Sequence, residues 1–109
     1  LVGGTGIDTL VGFRAYTITG ANSGTASTPG SMTWSGIENL TGTANTDTFT
    51  QSGGSLSGTI DGLGQTDKVA GYSTYAVNVG GGTATTGGVT ASLQGIETLE
   101  GTAGADTFT

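Results

Sequence analysis

Apolar residues are sparse along this chain and fall in short alternating runs. Thr9-Leu10-Val11, Tyr16-Thr17-Ile18, Met32-Thr33-Trp34, Thr48-Phe49-Thr50, Lys68-Val69-Ala70, Tyr75-Ala76-Val77, Ala91-Ser92-Leu93 and Thr107-Phe108-Thr109 all follow this pattern. A spacing of two between apolar residues predicts strands with one face turned inward. Gly, Ser, Thr, Asn and Asp separate the runs, which is the chemistry of tight turns. No stretch sustains a helical period. The pattern predicts an all-β chain of many short strands.

The runs recur. At an offset of 59 residues, positions 1–50 lie over 60–109 with 15 identities, 11 of them in the last fifteen positions. Gly36-Ile37-Glu38 lies over Gly95-Ile96-Glu97, and Gly42-Thr43-Ala44 over Gly101-Thr102-Ala103. The chain therefore reads as one segment, 1–109, with repeat unit 1 at 1–59 and an incomplete unit 2 at 60–109. Leu1 corresponds to Ile60 and Thr109 to Thr50, so the expectation is a slice of a longer tandem array.

A shorter period lies inside the repeat. Asp8, Asp47, Asp67 and Asp106 each precede a strand-like run, at spacings of 39, 20 and 39. Midway through each 39 stand the turn signals Thr28-Pro29-Gly30 and Thr86-Gly87-Gly88. Taken as corners, they divide each unit into three rungs of about 20 residues. Such stacking would place Leu10, Met32, Phe49, Val69, Ala91 and Phe108 in one column. The predicted fold is a parallel β-solenoid of the β-helix or β-roll kind, right-handed by the crossover rule.

Composition narrows the function. The chain has 109 residues, net charge -6, no Cys and no His, and two basic residues against eight acidic ones. Arg14 and Lys68 alone cannot form a basic surface, so no nucleic-acid partner is expected. Thiol and imidazole chemistry are absent. No apolar run approaches the ~20 residues of a membrane helix, so no membrane span is expected. The acids stand one per rung, without the clustered pair of a glycosidase, and the expectation is that the chain is not an enzyme.

Residues Gly3-Gly4-Thr5-Gly6-Ile7-Asp8-Thr9-Leu10-Val11 match the nonapeptide G-G-x-G-x-D-x-U-x in full. Gly101 to Thr109 matches with the second Gly replaced, while Gly42 to Thr50 and the block at Gly62 depart further. On these motifs the chain resembles RTX-type (haemolysin-type) calcium-binding repeats, and more broadly the β-strand repeat arrays of large secreted bacterial surface proteins and adhesins. The resemblance implies calcium as a cofactor, with Asp8, Asp47, Asp67 and Asp106 as metal ligands. The reading that needs no metal is an Asx-turn, in which each Asp bonds its own backbone. Only Asp47 and Asp67 stand one rung apart, whereas a β-roll calcium ladder needs motifs on successive rungs.

The expected function is a structural repeat module, the body of an extracellular or cell-surface filament, stalk or fibre. Its partner would be itself, by end-to-end stacking or by continuation of a tandem array. The alternative is a calcium-dependent adhesin segment. More remote is an ice-binding face built from T-x-T steps such as Thr46-Asp47-Thr48-Phe49-Thr50, a ladder that Thr9-Leu10-Val11 and Lys68-Val69-Ala70 break.

Overall fold

In the computed structural model, which describes residues 1–78 and 81–109, the chain is an all-β solenoid without a helix. Its strands in the first unit are β1 (Thr9–Val11), β2 (Ala15–Gly20), β3 (Ser23–Ser27), β4 (Ser31–Ser35), β5 (Asn39–Thr41) and β6 (Thr48–Gln51), and β7 (Thr59–Asp61) crosses into the second. The second unit continues with β8 (Lys68–Ala70), β9 (Thr74–Asn78), β10 (Gly81–Thr86), β11 (Val89–Gln94), β12 (Thr98–Glu100) and β13 (Thr107–Phe108). No helix of the described residues is long and apolar enough to cross a membrane.

Two sheets face each other across the core. The first has the order β1-β5-β7-β11-β10-β9-β13 and the second β12-β8-β6-β2-β3-β4. The coil itself is parallel: β1, β5, β7 and β11 stack in one sheet, and β2, β6, β8 and β12 in the other. These steps make about three turns. The 20-residue rung is present where Leu40 stands opposite Ile60 and Phe49 opposite Val69.

The turns at Thr28-Pro29-Gly30 and Thr86-Gly87-Gly88 are not rung corners. They close hairpins, so β2-β3-β4 and β9-β10-β11 are antiparallel meanders inserted into the parallel stack. A turn signal reverses the chain, but it does not say whether the next strand pairs with its neighbour or crosses to the other sheet. The expected single column divides accordingly. Met32, Phe49 and Val69 share one inward rank of the second sheet, in the series Leu99–Val69–Phe49–Tyr16–Ala26–Met32. Ala91 and Phe108 belong to the first sheet, in the series Ala91–Ala84–Tyr75–Phe108. Leu10 belongs to a separate rank there, Leu10–Leu40–Ile60–Leu93.

The sheet exchange has a simple cause. From β1 to β7 the chain visits the sheets in the order first, second, first, second, first, with the meander counting as one visit. Five visits are an odd number of half-turns, so the second unit begins on the opposite sheet. Hence β1 is in the first sheet and its repeat β8 in the second, while β2-β3-β4 is in the second and β9-β10-β11 in the first. The two units are related by a half-turn and an advance along the stack.

The core is one side chain thick from each sheet. A three-residue strand offers a single inward position, and Leu40, Ile60 and Val69 fill theirs with no residual exposure. Each such burial is worth roughly 1.5–3 kcal/mol. The middle strand of each meander turns small residues to the core: Gly24 and Ala26 in β3, Gly82 and Ala84 in β10. That leaves room for Tyr16, Ile18 and Trp34 on the flanking strands. Tyr16 stacks on Phe49 at 5.2 Å between ring centroids, and Tyr75 on Phe108 at 5.0 Å.

Buried hydroxyls separate the repeats energetically. Tyr16 Oη donates to the Thr41 carbonyl at 2.7 Å, and Tyr75 Oη to the Glu100 carbonyl at 2.7 Å. Burial raises the Tyr16 phenol to about 12, opposed by the Phe13 amide and reinforced by Asp47. Tyr72 is buried with no partner for its hydroxyl, which burial also raises to about 12, and its repeat position is Phe13. Tyr72→Phe is therefore expected to stabilise the fold by about 1 kcal/mol, and Tyr16→Phe to destabilise it by a similar amount. Urea denaturation followed by circular dichroism measures both, and a loss of stability in Tyr72→Phe would contradict the assignment.

Candidate functional site

The four Asp residues singled out in the sequence sit at the corners where the chain passes from one sheet to the other. In each block a glycine stands five residues earlier: Gly3, Gly42, Gly62 and Gly101. A Cβ on any of the four would strike the Oδ2 atom of its Asp. The carboxylate folds back over the glycine Cα, which is the physical reason for the spacing G-x-x-x-x-D.

Two kinds of corner share this spacing. At Asp47 the carboxylate accepts the Thr43 amide at 2.7 Å on Oδ2 and the Thr43 hydroxyl at 2.9 Å on Oδ1. Asp106 does the same with Thr102, at 3.0 and 2.8 Å. At Asp8 and Asp67 the residue after the glycine is Gly4 or Leu63, so no hydroxyl is available, and the Oδ2 atom of each is buried without a partner. These two corners turn instead through left-handed backbone, at Gly4 and Gly6 in the first unit and at Leu63 and Gln65 in the second, with φ 70° and 69°. Glycine adopts that conformation freely, whereas another residue pays about 1–2 kcal/mol for it.

The corners are tied along the stack by carboxylate-to-amide bonds. The Asp47 amide donates to Asp67 Oδ1 at 2.7 Å, and the Asp67 amide to Glu97 Oε2 at 2.8 Å. On the opposite edge the Asp8 amide donates to Glu38 Oε2 at 2.9 Å. Each carboxylate thus satisfies a backbone donor that the corner leaves outside the strand ladders. Charge-assisted bonds of this kind are about twice as strong as neutral ones. Glu38 and Glu97, which recur at one place in both units, are explained by this role.

Asp47 and Asp67 are both fully buried. Exclusion of solvent raises the Asp67 carboxyl above the ordinary carboxylate range. The bond from the Asp47 amide opposes that rise, while the charges of Asp47, Glu97 and Asp61 add to it. Among the described residues no group of three or more acidic side chains is gathered in a way that could hold a metal ion. Calcium takes six to eight oxygens. Asp47 and Asp106 bond their own turns with both oxygens, whereas the Oδ2 atoms of Asp8 and Asp67 are buried without a partner. No single corner supplies that number from its carboxylate.

Outward faces carry hydroxyls in ranks that the sequence pattern along rungs does not reveal. Thr33, Thr25, Thr17 and Thr50 are successive cross-strand neighbours in the second sheet, and Ala70 ends the rank. The ranks form because the meander brings three strands of one unit side by side. Tyr16 and Trp34, which alternate with these hydroxyls along their strands, are buried in the core, as is Tyr75 of the first sheet.

No protein-family model, curated protein or solved structure matches this chain.

Two outcomes follow from the corners. Gln65→Gly and Leu63→Gly should each stabilise the protein by about 1 kcal/mol by relieving left-handed backbone, read as a higher midpoint in urea. A drop in the midpoint of both would contradict the strain. For Asp67, a folded-state pKa above the unfolded one means the native state binds the extra proton between those two values. Stability should therefore fall as pH rises through that window and level off above it. Asp67→Asn keeps an acceptor for the Asp47 amide and should abolish that slope, which melting curves from pH 3 to pH 8 would measure.

Proposed function

We propose that this chain is a non-enzymatic structural repeat module that forms the body of an extracellular filament, stalk or surface fibre. The observation that supports this reading is the half-turn relation between the units. A sequence period that ends on the opposite sheet in the same backbone conformation is a propagating element, since any further unit repeats the operation and lengthens both sheets together. In such an array stability grows by nearest-neighbour contacts, and length is limited only by the number of units. The corner carboxylates hold the stack without disulfides, in keeping with a chain that has no cysteine. Extracellular placement and kinship with the RTX-like arrays of secreted bacterial surface proteins rest on the motif resemblance.

A second reading, a calcium-dependent adhesin segment, is favoured by one feature, the buried and unpartnered Oδ2 of Asp67. Under that reading a cation would relieve the charge at this corner, and folding would depend on it.

Far-UV circular dichroism after chelator treatment, with calcium then titrated in, separates the two. The structural-module reading expects the full β-signal in chelator and a thermal midpoint that calcium does not move. A β-signal that appears only with calcium would overturn it in favour of the second reading.

A further inference from the structure

Going beyond the structural-module reading, we propose that the outward face of each meander binds ice, through a lattice of hydroxyls assembled from four neighbouring strands. The lattice is not written along any one strand. On the second sheet Thr33, Thr25, Thr17 and Thr50 stand side by side across β4, β3, β2 and β6. Two residues away along each strand runs a second rank, made of Ser31, Ser27, Ala15 and Thr48. Neighbours in a rank lie one strand spacing apart, ~4.8 Å, and the two ranks lie about 7 Å apart.

The second unit builds the same lattice from other positions. Its counterpart of the mixed rank is Thr90, Thr85, Thr74 and Thr107, across β11, β10, β9 and β13 of the first sheet. The Thr85 and Thr90 hydroxyls bond each other at 2.9 Å. Here it is the other rank that is mixed, since Ser92 and Ala76 replace Thr33 and Thr17. Each unit thus presents one complete threonine rank beside one mixed rank. Because the meanders lie in different sheets, the solenoid carries one such face on each side.

Charge selects the kind of partner. The chain has eight acidic and two basic residues. None of them lies in β2, β3, β4 or β6, nor in β9, β10, β11 or β13. On the second sheet the lattice stops where charge returns, at the Lys68–Glu100 pair of β8 and β12. The faces therefore suit a neutral partner with donors and acceptors at a regular spacing. A second copy fits less well, because four strands of five residues cover only about 19 by 17 Å, roughly 320 Å². A stable protein interface takes ~800 Å² from each partner. Sugar rings pack on exposed aromatic faces, whereas Tyr16, Trp34 and Tyr75 are buried. Ice is neutral and presents oxygens in flat ranks with repeats of this order. Being continuous, it also takes every face that reaches it, so that small contacts add.

Threonine suits such a surface, since its β-branch holds hydroxyl and methyl in few rotamers. The hydroxyls of Thr43 and Thr102 are spent on corner carboxylates. Those of Thr33, Thr25, Thr17 and Thr50 make no hydrogen bond among the described residues. Beneath them Tyr16 and Phe49 stack with ring planes 4° apart. That geometry is in keeping with little twist between β2 and β6, where neighbouring strands commonly rotate by ~20–25°.

Partition of the 109-residue chain into a slowly growing ice front tests the proposal, with inhibition of ice recrystallisation as a second readout. The chain is expected in the ice at a level at least fivefold above a non-binding protein of the same size. Thr25→Tyr combined with Thr85→Tyr puts one bulky side chain on each face and should return partition to background, with an unchanged circular dichroism spectrum. Thr25→Lys combined with Thr85→Lys should do the same, and serves if the first pair fails to fold. Thr46→Tyr, at an exposed corner, should leave partition unchanged. Exclusion of the native chain from ice overturns the proposal. Ice binding that survives both paired variants in folded protein overturns its assignment to these faces. Binding to crystalline cellulose, or dimerisation, that the same variants abolish and that occurs without ice partition overturns it in favour of a sugar polymer or a second copy.

Discussion

The fold depends on how its corners dispose of backbone amides. A coil of three-residue strands spends much of its length in turns, where N–H groups have no ladder partner, and a buried donor without a partner costs ~1–3 kcal/mol. Here a carboxylate meets that demand at successive levels: Asp67 takes the Asp47 amide, and Glu97 takes the Asp67 amide. The glycine five residues before each Asp gives up its side chain so that the carboxylate can lie inside the turn. Because Glu38, Asp67 and Glu97 each bond the corner of a neighbouring strand, the interaction sets the vertical register as well as the local turn. Packing then needs only one inward side chain per short strand.

From the corners follows the relation between the units. Strands of fixed register, joined by corners of fixed length, advance the chain by half-turns, and the antiparallel meander inserts two strands without adding a half-turn. Five sheet visits per unit place the repeats on opposite sheets, so each sheet alternates between parallel coil and antiparallel meander. Equivalent residues of the two units therefore meet equivalent neighbours: Tyr16 stacks on Phe49 and Tyr75 on Phe108. Thr43 and Thr102 likewise make the same hydroxyl contacts, because the corner is local.

What could be read from sequence divides along that same line between local and distant pairing. Alternation of apolar residues indicated the strands, and the offset of 59 residues and the 20-residue step between Asp47 and Asp67 are both present in the stack. Thr28-Pro29-Gly30 misled because hairpin turns and solenoid corners draw on the same residues. Nor does the nonapeptide match sort the corners. Gly101 to Asp106 resembles Gly3 to Asp8 more than the block at Gly62 does, yet Gly62 to Asp67 is the one that shares the left-handed turn. The discriminating signal was the residue after the first glycine: threonine at 43 and 102, absent at 4 and 63.

Side-chain and Hα contacts measured by nuclear Overhauser spectroscopy test the sheet assignment most directly. The account expects Leu10 to contact Leu40, and Tyr16 to contact both Phe49 and Ala26. Cross-strand contacts between Leu10 and Met32, as three uniform rungs per unit would require, would contradict it.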